Sequence, residues 1–409
     1  MTTRALLTAV VALASAGCGA PDPPANTGGT DVAPGACGRG VVVVSSDYQS
    51  TDVGLVDWSG DVLSASVISS SSASTGLSAA LSGDVVAPTT PDAGDTFTLI
   101  DRYPAGVITL VDVVSGAVRA QIDVKTGFAS DAHDWLALGD HKAYVARYDP
   151  NLAPGAEPFD GGSDVLIVDP IAGAPTGRID LASALAGAGA GFYPRPARLV
   201  QAGGLVYALL SCDDLDYTSS AESRVVEIDP ATDAITRVHV LSGLHGCLGL
   251  AVSPSGASLG VACSGQFEQS SATDVGESAA VRLDLTTLDE TARATAASLG
   301  GDALGFSISF ASESTAVVTT FGALGGATPH GDRALLVDLD AATSREITST
   351  ADAFKLGEVR CAQACGACFL ADASTAESLV RFDAAGEAAP TSIEVDPAVG
   401  LPAVYLGAF

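Results

Sequence analysis

From residue 40 onward the chain is a succession of short apolar runs rich in Val, Ile and Leu, separated by clusters of Gly, Ser, Asp and Pro. Runs of this kind, bounded by turn formers and almost free of helical periodicity, predict an all-β protein. One element recurs: GLVDWSG (54–60), TLVDVVSG (109–116), LIVDPIAG (166–173), VEIDPATD (226–233), VRLDLTTL (281–288), LLVDLDAA (335–342) and VRFDAAG (380–386). Each is an apolar strand that ends in Asp and runs into a turn. The aspartates Asp57, Asp112, Asp169, Asp229, Asp284, Asp338 and Asp383 are spaced 55, 57, 60, 55, 54 and 45 residues apart. Seven near-equal periods predict a seven-bladed β-propeller of four-stranded blades over residues 37–409. The aspartates need no ligand to explain them, because a carboxylate at a strand end can accept backbone N–H groups of the following turn.

Four strands per blade, a to d from the axis outward, fit the repeat. In the fourth they fall near RLVQA, GLVYALLSC, SRVVEID and ITRVHVL. The first blade starts at GVVVVSSD (40–47), which matches strand b, so its strand a is missing, while PAVYLGAF (402–409) is a spare apolar strand at the C-terminus. The expectation is that this strand completes blade 1 and closes the ring, which leaves no open inner edge.

The fullest repeat, HDWLALGDHKAYVARYDPN…GGSDVLIVDPIAGAPTGRIDL (133–181), resembles the YVTN repeat of bacterial and archaeal surface β-propellers. Of the name-giving tetrad, Tyr144 and Val145 are kept, and Ala146 and Arg147 replace the rest. The resemblance spans most of residues 130–300 and implies a propeller fold and a surface location.

Composition adds an address. The chain carries 48 acidic and 19 basic residues, net charge −29, with Lys only at 125, 142 and 355. Nucleic acid is excluded as a partner, since counterion release needs clustered Lys or Arg, whereas acidity of this degree suits a salt-adapted surface. The N-terminus, MTTRALLTAVVALASAGC, has one cation, an apolar run and small residues, which is the build of an export signal over 1–17. Its end, Ala16-Gly17-Cys18, resembles the lipobox of bacterial lipoproteins with Ser15 in place of the usual Leu, and implies lipidation at Cys18 and a cell-envelope, outer-membrane location, or secretion without the lipid. Residues 18–36, rich in Pro, Gly and Asp, are expected to form a flexible tether.

With successive strands antiparallel, the starts of a, the ends of b and the b-to-c loops share one face, here the upper face. Long b-to-c loops are expected at about 89–105, 149–164, 213–223, 264–277 and 321–332, which makes this the face for a protein, glycan or small anion. His133, Arg195, His245 and Arg360 are expected at its central mouth, either to hold an anion or to neutralise nearby Asp131, Asp134, Asp213 and Asp214. Asp149, Asn151, Asp160 and Asp164, with Glu157, could offer oxygen ligands to calcium, though the regular EF-hand spacing is absent. No other cofactor is predicted. The five His form no paired metal spacing and there is no nucleophile-elbow motif, so no catalytic residue is assigned. A binding or scaffold module at the envelope is the favoured reading. A lactonase-like propeller enzyme and a purely structural acidic surface protein are the alternatives.

Setting Cys18 aside, seven cysteines remain. In an exported chain, Cys37, Cys212, Cys247, Cys263, Cys361, Cys365 and Cys368 are disulfide candidates. Reading Cys361 as the start of a strand a and Cys365 as its end puts Cys212, Cys247, Cys263 and Cys361 on the upper face and the other three below. Cys212 with Cys247 is the first expectation, with Cys247–Cys263 as its rival; below, Cys365–Cys368 competes with Cys37–Cys368. The C-x3-C-x2-C run at 361–368 resembles the cluster signature of radical S-adenosylmethionine enzymes. On the strand reading, however, Cys361 and Cys365 stand about 13 Å apart, too far for one cluster.

Overall fold

The computed structural model describes residues 28–73, 76–266, 274–322, 330–375 and 378–409. The expected signal segment, Cys18 and the first part of the expected tether lie outside the described residues. Seven four-stranded antiparallel sheets surround a central axis. Blade 3 is typical, with Ala132–Gly139 innermost, then Lys142–Pro150, Gly162–Asp169 and Ala174–Ile179. Between blades the sheets pack face to face through apolar side chains, for example Val41, Val43, Phe369 and Leu406 where blades 7 and 1 meet.

Ring closure follows the expected route. Ala403–Ala408 pairs with Gly40–Ser46 as the inner strand of blade 1, in the order a, b, Thr51–Asp57, Val62–Ser69. The inner edge of the first blade is thereby hydrogen-bonded, and the N- and C-terminal parts of the propeller share one sheet.

All seven repeat aspartates accept backbone N–H groups of their own c-to-d turns. Asp57 takes those of Ser59, Gly60 and Asp61, Asp284 those of Thr286 and Thr287, and Asp338 those of Asp340 and Ala341. Asp112, Asp169, Asp229 and Asp383 do the same. The backbone N–H of Ser115 is the main cause holding the Asp112 carboxyl down at about 2, and Arg119 adds to it. The repeat is therefore a turn-capping device on the lower face.

Two boundaries differ from the sequence reading. In blade 2 the insertion 87–95 joins the two-residue strand a, Val85–Val86, to strand b, Thr96–Asp101, so it lies on the lower face, and only 102–106 remains above. In blade 7, strand a is Leu356–Ala362 and strand b is Ala367–Asp372, with Cys361 opposite Cys368 in register. The connecting turn is the four residues 363–366, and Gly366 adopts φ +60°, a left-handed conformation natural to glycine at a hairpin corner. Cys361 thus ends a strand rather than starting one, and Arg360 and Cys361 move to the lower side.

The disulfides follow. Cys361 pairs with Cys368, Cys37 with Cys365 and Cys247 with Cys263, while Cys212 is a buried free thiol. The Cys212–Cys247 expectation is corrected because Cys247 faces Cys263 directly across blade 5. Cys212 instead donates to the carbonyl of Leu210 at 3.7 Å, and burial pushes its thiol up to about 12. Below, the expected blades are joined by different partners. The three sulfurs of 361–368 share one face but are consumed in two bridges, one of which ties blade 7 to Cys37 ahead of blade 1.

Residues 28–36, placed in the tether by composition, lie against the lower side of blades 1 and 2. The Thr30 N–H donates to the Val113 carbonyl at 2.7 Å, and the Ser64 hydroxyl donates to the Gly28 carbonyl at 2.7 Å.

Candidate functional site

The inner strands descend from the upper face, so their first residues line an upper cavity and their last residues a lower one. The upper cavity is about 600 Å³. Its walls come from all seven blades, with Tyr48, Arg102, His133, Arg198, Leu248, Phe306 and Phe354 among the contributors. The lower cavity, about 480 Å³, is lined by Gln201, Phe310, Arg360 and Cys361 among others.

Between them three charged side chains cross the channel. Arg198 bonds Glu358 at 2.7 Å, and Arg360 approaches the other Glu358 oxygen at 3.4 Å, which also accepts the Leu406 N–H at 3.0 Å. Arg198 further donates to the Leu248 carbonyl at 3.1 Å, and Arg360 to that of Pro88 at 3.4 Å. Buried Asp134 sits beside this clasp and accepts N–H groups of Thr89, Trp135 and Leu199, which ties blades 2, 3 and 4 together. Burial pushes the Asp134 carboxyl up and pulls the Arg360 guanidinium down. The upper cavity is therefore a blind funnel that opens on the loop-rich face.

Of the four residues expected at the mouth, only His133 lines the funnel. Its Nε2 lies 3.1 Å from Asp131, and its ring stacks on Tyr148 with centroids 4.0 Å apart. Burial pushes the Asp131 carboxyl upward, but His133, Arg102 and Arg195 outweigh it, so its pKa lies below the ordinary value. Arg195 is fully buried behind the wall. Its guanidinium bonds Asp149 (2.6 Å), the Tyr217 hydroxyl (2.7 Å) and the carbonyls of Asp214 and Leu215, and lies 4.0 Å from the Tyr217 ring centroid. Backbone φ at Arg195 is +48°, which turns its side chain out under the 213–217 loop. His245 bonds Ser220 and stands 4.0 Å from Glu277, away from the funnel. Arg360 belongs to the clasp.

The calcium candidates are not brought together. Asp149 serves Arg195 and Tyr217, and Asn151 donates to the Asp160 carbonyl. Asp160 accepts N–H groups of Gly155, Ala156 and Glu157, which hold its carboxyl down. Asp164 is buried in a two-point ion pair with Arg147, both contacts at 2.8 Å. Arg147, the departure from the repeat tetrad, also donates to Thr126 and to the Phe159 carbonyl, so it pins the 151–161 loop. Among the described residues no group of three or more His, Cys, Asp or Glu side chains is placed to hold a metal ion.

Sequence reasoning missed Tyr48, Arg102, Arg198, Phe306, Phe321, Phe354, Lys355, Glu358 and Tyr405. Arg102 is neutralised by Asp84 and donates to the Tyr405 hydroxyl at 3.1 Å. Lys355 differs: among the described residues it alone of the Lys and Arg side chains makes no hydrogen bond or ion pair, and it lines the funnel.

No family model matches the chain, and no curated protein matches it. Solved propellers do. Hydrazine synthase from Kuenenia stuttgartiensis is 13% identical with a TM-score of 0.54, over 87% of this chain and 98% of that one. A functionally unknown protein from Desulfotomaculum acetoxidans is 11% identical with a TM-score of 0.54, over 90% and 98%. A Bacteroides fragilis protein described as a "putative 6-phosphogluconolactonase" is 12% identical with a TM-score of 0.53, over 90% and 96%. At these identities the likeness shows the fold alone.

Proposed function

We propose that this protein is an exported, lipid-anchored propeller that works as a binding module at the cell envelope and takes its ligand in the upper funnel. The observation that carries the reading is the blind cavity of about 600 Å³ with Lys355, whose ammonium has no partner among the described residues, in its wall. A concave, largely apolar site with a few polar groups is the usual form of a small-molecule site. The three disulfides suit an oxidising compartment. The chain enters the described body on the lower side, at Gly28 and Thr30, so an anchor at Cys18 would hold the funnel facing away from the membrane. Native mass spectrometry of the protein extracted from its own membranes tests this reading. A lipid on Cys18 and a co-purified small molecule are expected; an intact, unmodified N-terminus would remove the anchor, and an empty protein that binds none of a broad metabolite panel would remove the binding role.

A second reading, a lactonase-like hydrolase, is favoured by the His133–Asp131 pair at the funnel wall, a geometry suited to a general base. It is consistent with the fold shared with the Bacteroides protein. Acid release from a panel of lactones, lost in His133→Ala, would establish it, and no turnover by wild type would dismiss it.

A further inference from the structure

We infer that the upper funnel takes a small aromatic carboxylate, a reading that rests on the funnel being the binding site. Four observations converge. The first is the aromatic wall. Phe306 and Phe321 meet edge to face at 4.9 Å, Phe321 and Phe354 lie 5.3 Å apart, and Tyr48 and Tyr405 also line the cavity. Tyr48 (64% exposed) and Phe354 (55% exposed) are open to solvent although water is a poor neighbour for such rings.

The second is backbone strain. Tyr48 has φ +63° and Phe354 φ +57°, left-handed conformations that bulky side chains rarely adopt. Two such aromatics meeting at one cavity is the kind of stored strain that accompanies a preorganised site. The structure enforces it at Phe354. The carboxylate of Asp332, fully buried, accepts the N–H groups of Lys355 (2.6 Å) and Leu356 (3.1 Å), which fixes the segment that presents both Phe354 and Lys355 to the funnel.

The third is charge. Every other cationic group lining the funnel is already matched: Arg102 by Asp84, Arg198 by Glu358, His133 by Asp131. The Asp47 carboxylate accepts the N–H groups of Gln49 and Ser50 in its own loop. Lys355 leaves one positive charge to be satisfied, so the complement is a single anionic group, in a protein whose net charge of −29 would otherwise repel it.

The fourth is size. The clasp closes the funnel below, so the ligand must fit within about 600 Å³, room for a ring with a short acid arm but not for a polymer threading the channel.

Isothermal titration of the full chain with four probes tests the assignment: phenylacetate, its neutral isostere phenylacetamide, its cationic counterpart phenethylamine and the non-aromatic cyclohexylacetate. Phenylacetate is expected to bind about tenfold more tightly than phenylacetamide, equivalent to about 1.4 kcal/mol. In Lys355→Met that ratio is expected to collapse to about one, with phenylacetamide binding unchanged as evidence of an intact fold. Phe354→Ala should erase the preference for phenylacetate over cyclohexylacetate. The inference is overturned if phenylacetamide or phenethylamine binds as well as phenylacetate, or if Lys355→Met keeps the preference. In those cases a probe that binds and is weakened by Phe306→Ala would leave the funnel standing as a site of another chemistry. Failure of every probe, together with no co-purified molecule, would remove the aromatic-acid inference and the funnel reading alike.

Discussion

Replacing Cys37 and Cys365 together by Ser isolates the bridge that joins blade 7 to the segment ahead of blade 1. The two residues are 328 apart in sequence, against 16 for Cys247 and Cys263 and 7 for Cys361 and Cys368. On the chain-entropy account, a crosslink stabilises by removing loop-closure freedom from the unfolded chain, which gives about 6 kcal/mol for the ring-closing bridge and about 3 kcal/mol for the one in blade 5. The smaller bridge nested within the large loop shortens it by only some fifteen residues, which changes the logarithm negligibly. The ring-closing bridge is also the clean one to remove. Cys365 is exposed and Cys37 only half-buried at the edge of the blade 7–1 core, so the two Ser lose little packing, whereas Cys247 and Cys263 are fully buried and their replacement would add a cavity or desolvation cost. Urea denaturation followed by tryptophan fluorescence reads the effect. Trp58 is well placed, since its indole N–H donates to the Cys37 carbonyl at 2.9 Å and its ring lies 5.7 Å from Phe369 of blade 7. The double variant is expected to lose several kcal/mol while its folded spectrum stays that of wild type. A loss below about 1 kcal/mol would refute the reasoning and mean that the C-terminal strand alone closes the ring.

Three further outcomes follow from the same structure. Asp164→Asn should cost about 3–5 kcal/mol, visible as a large drop in melting temperature, because it leaves the buried Arg147 guanidinium without its counter-charge. Asp52 is buried, and burial pushes its carboxyl up to about 6 from an ordinary 3.8, against the hydrogen bond from Ser66. The folded state then binds more protons than the unfolded one between about pH 4 and 6, so this group makes stability fall as pH rises through that window and level off above it. Asp52→Asn should accordingly stabilise by up to about 3 kcal/mol at pH 7 and by nothing at pH 3.5, read as the difference between the two urea profiles. Cys212, buried and with its thiol pushed up to about 12, should resist iodoacetamide at pH 8 in the native protein and react only on unfolding.

The propeller is legible because its turns repeat: a carboxylate at each c-strand end does the same local work seven times and leaves a period in the sequence. The closing strand is legible too, since an unpaired apolar run at one end matches a gap at the other. Blade 7 misled the reading because LGEVRCA breaks the apolar pattern with Glu358 and Arg360, which an inner strand tolerates where it faces the channel. CAQAC, with its small residues, looks like the better strand but forms the strand end and its turn. The funnel leaves no spacing signal at all. Tyr48, Arg102, His133, Arg198, Phe306 and Phe354 each sit at the upper end of a different blade, and only closure of the ring brings them together. Arg195 illustrates the opposite error: a residue beside the start of an inner strand is aimed away from the axis by its own backbone, toward three tyrosines, Tyr148, Tyr193 and Tyr217, that form its seat.

The order in which the chain emerges gives the shared sheet of blade 1 a kinetic meaning. Gly40–Ser46 appears early, yet its inner partner, Ala403–Ala408, emerges only after the other six blades. The first blade therefore waits with an open inner edge until the other six have emerged. Cys37 waits almost as long for Cys365, while Cys212, Cys247, Cys263 and Cys361 pass by as wrong partners. Pairing in this order calls for thiol isomerisation, and depletion of that activity should trap mispaired forms linked through Cys37.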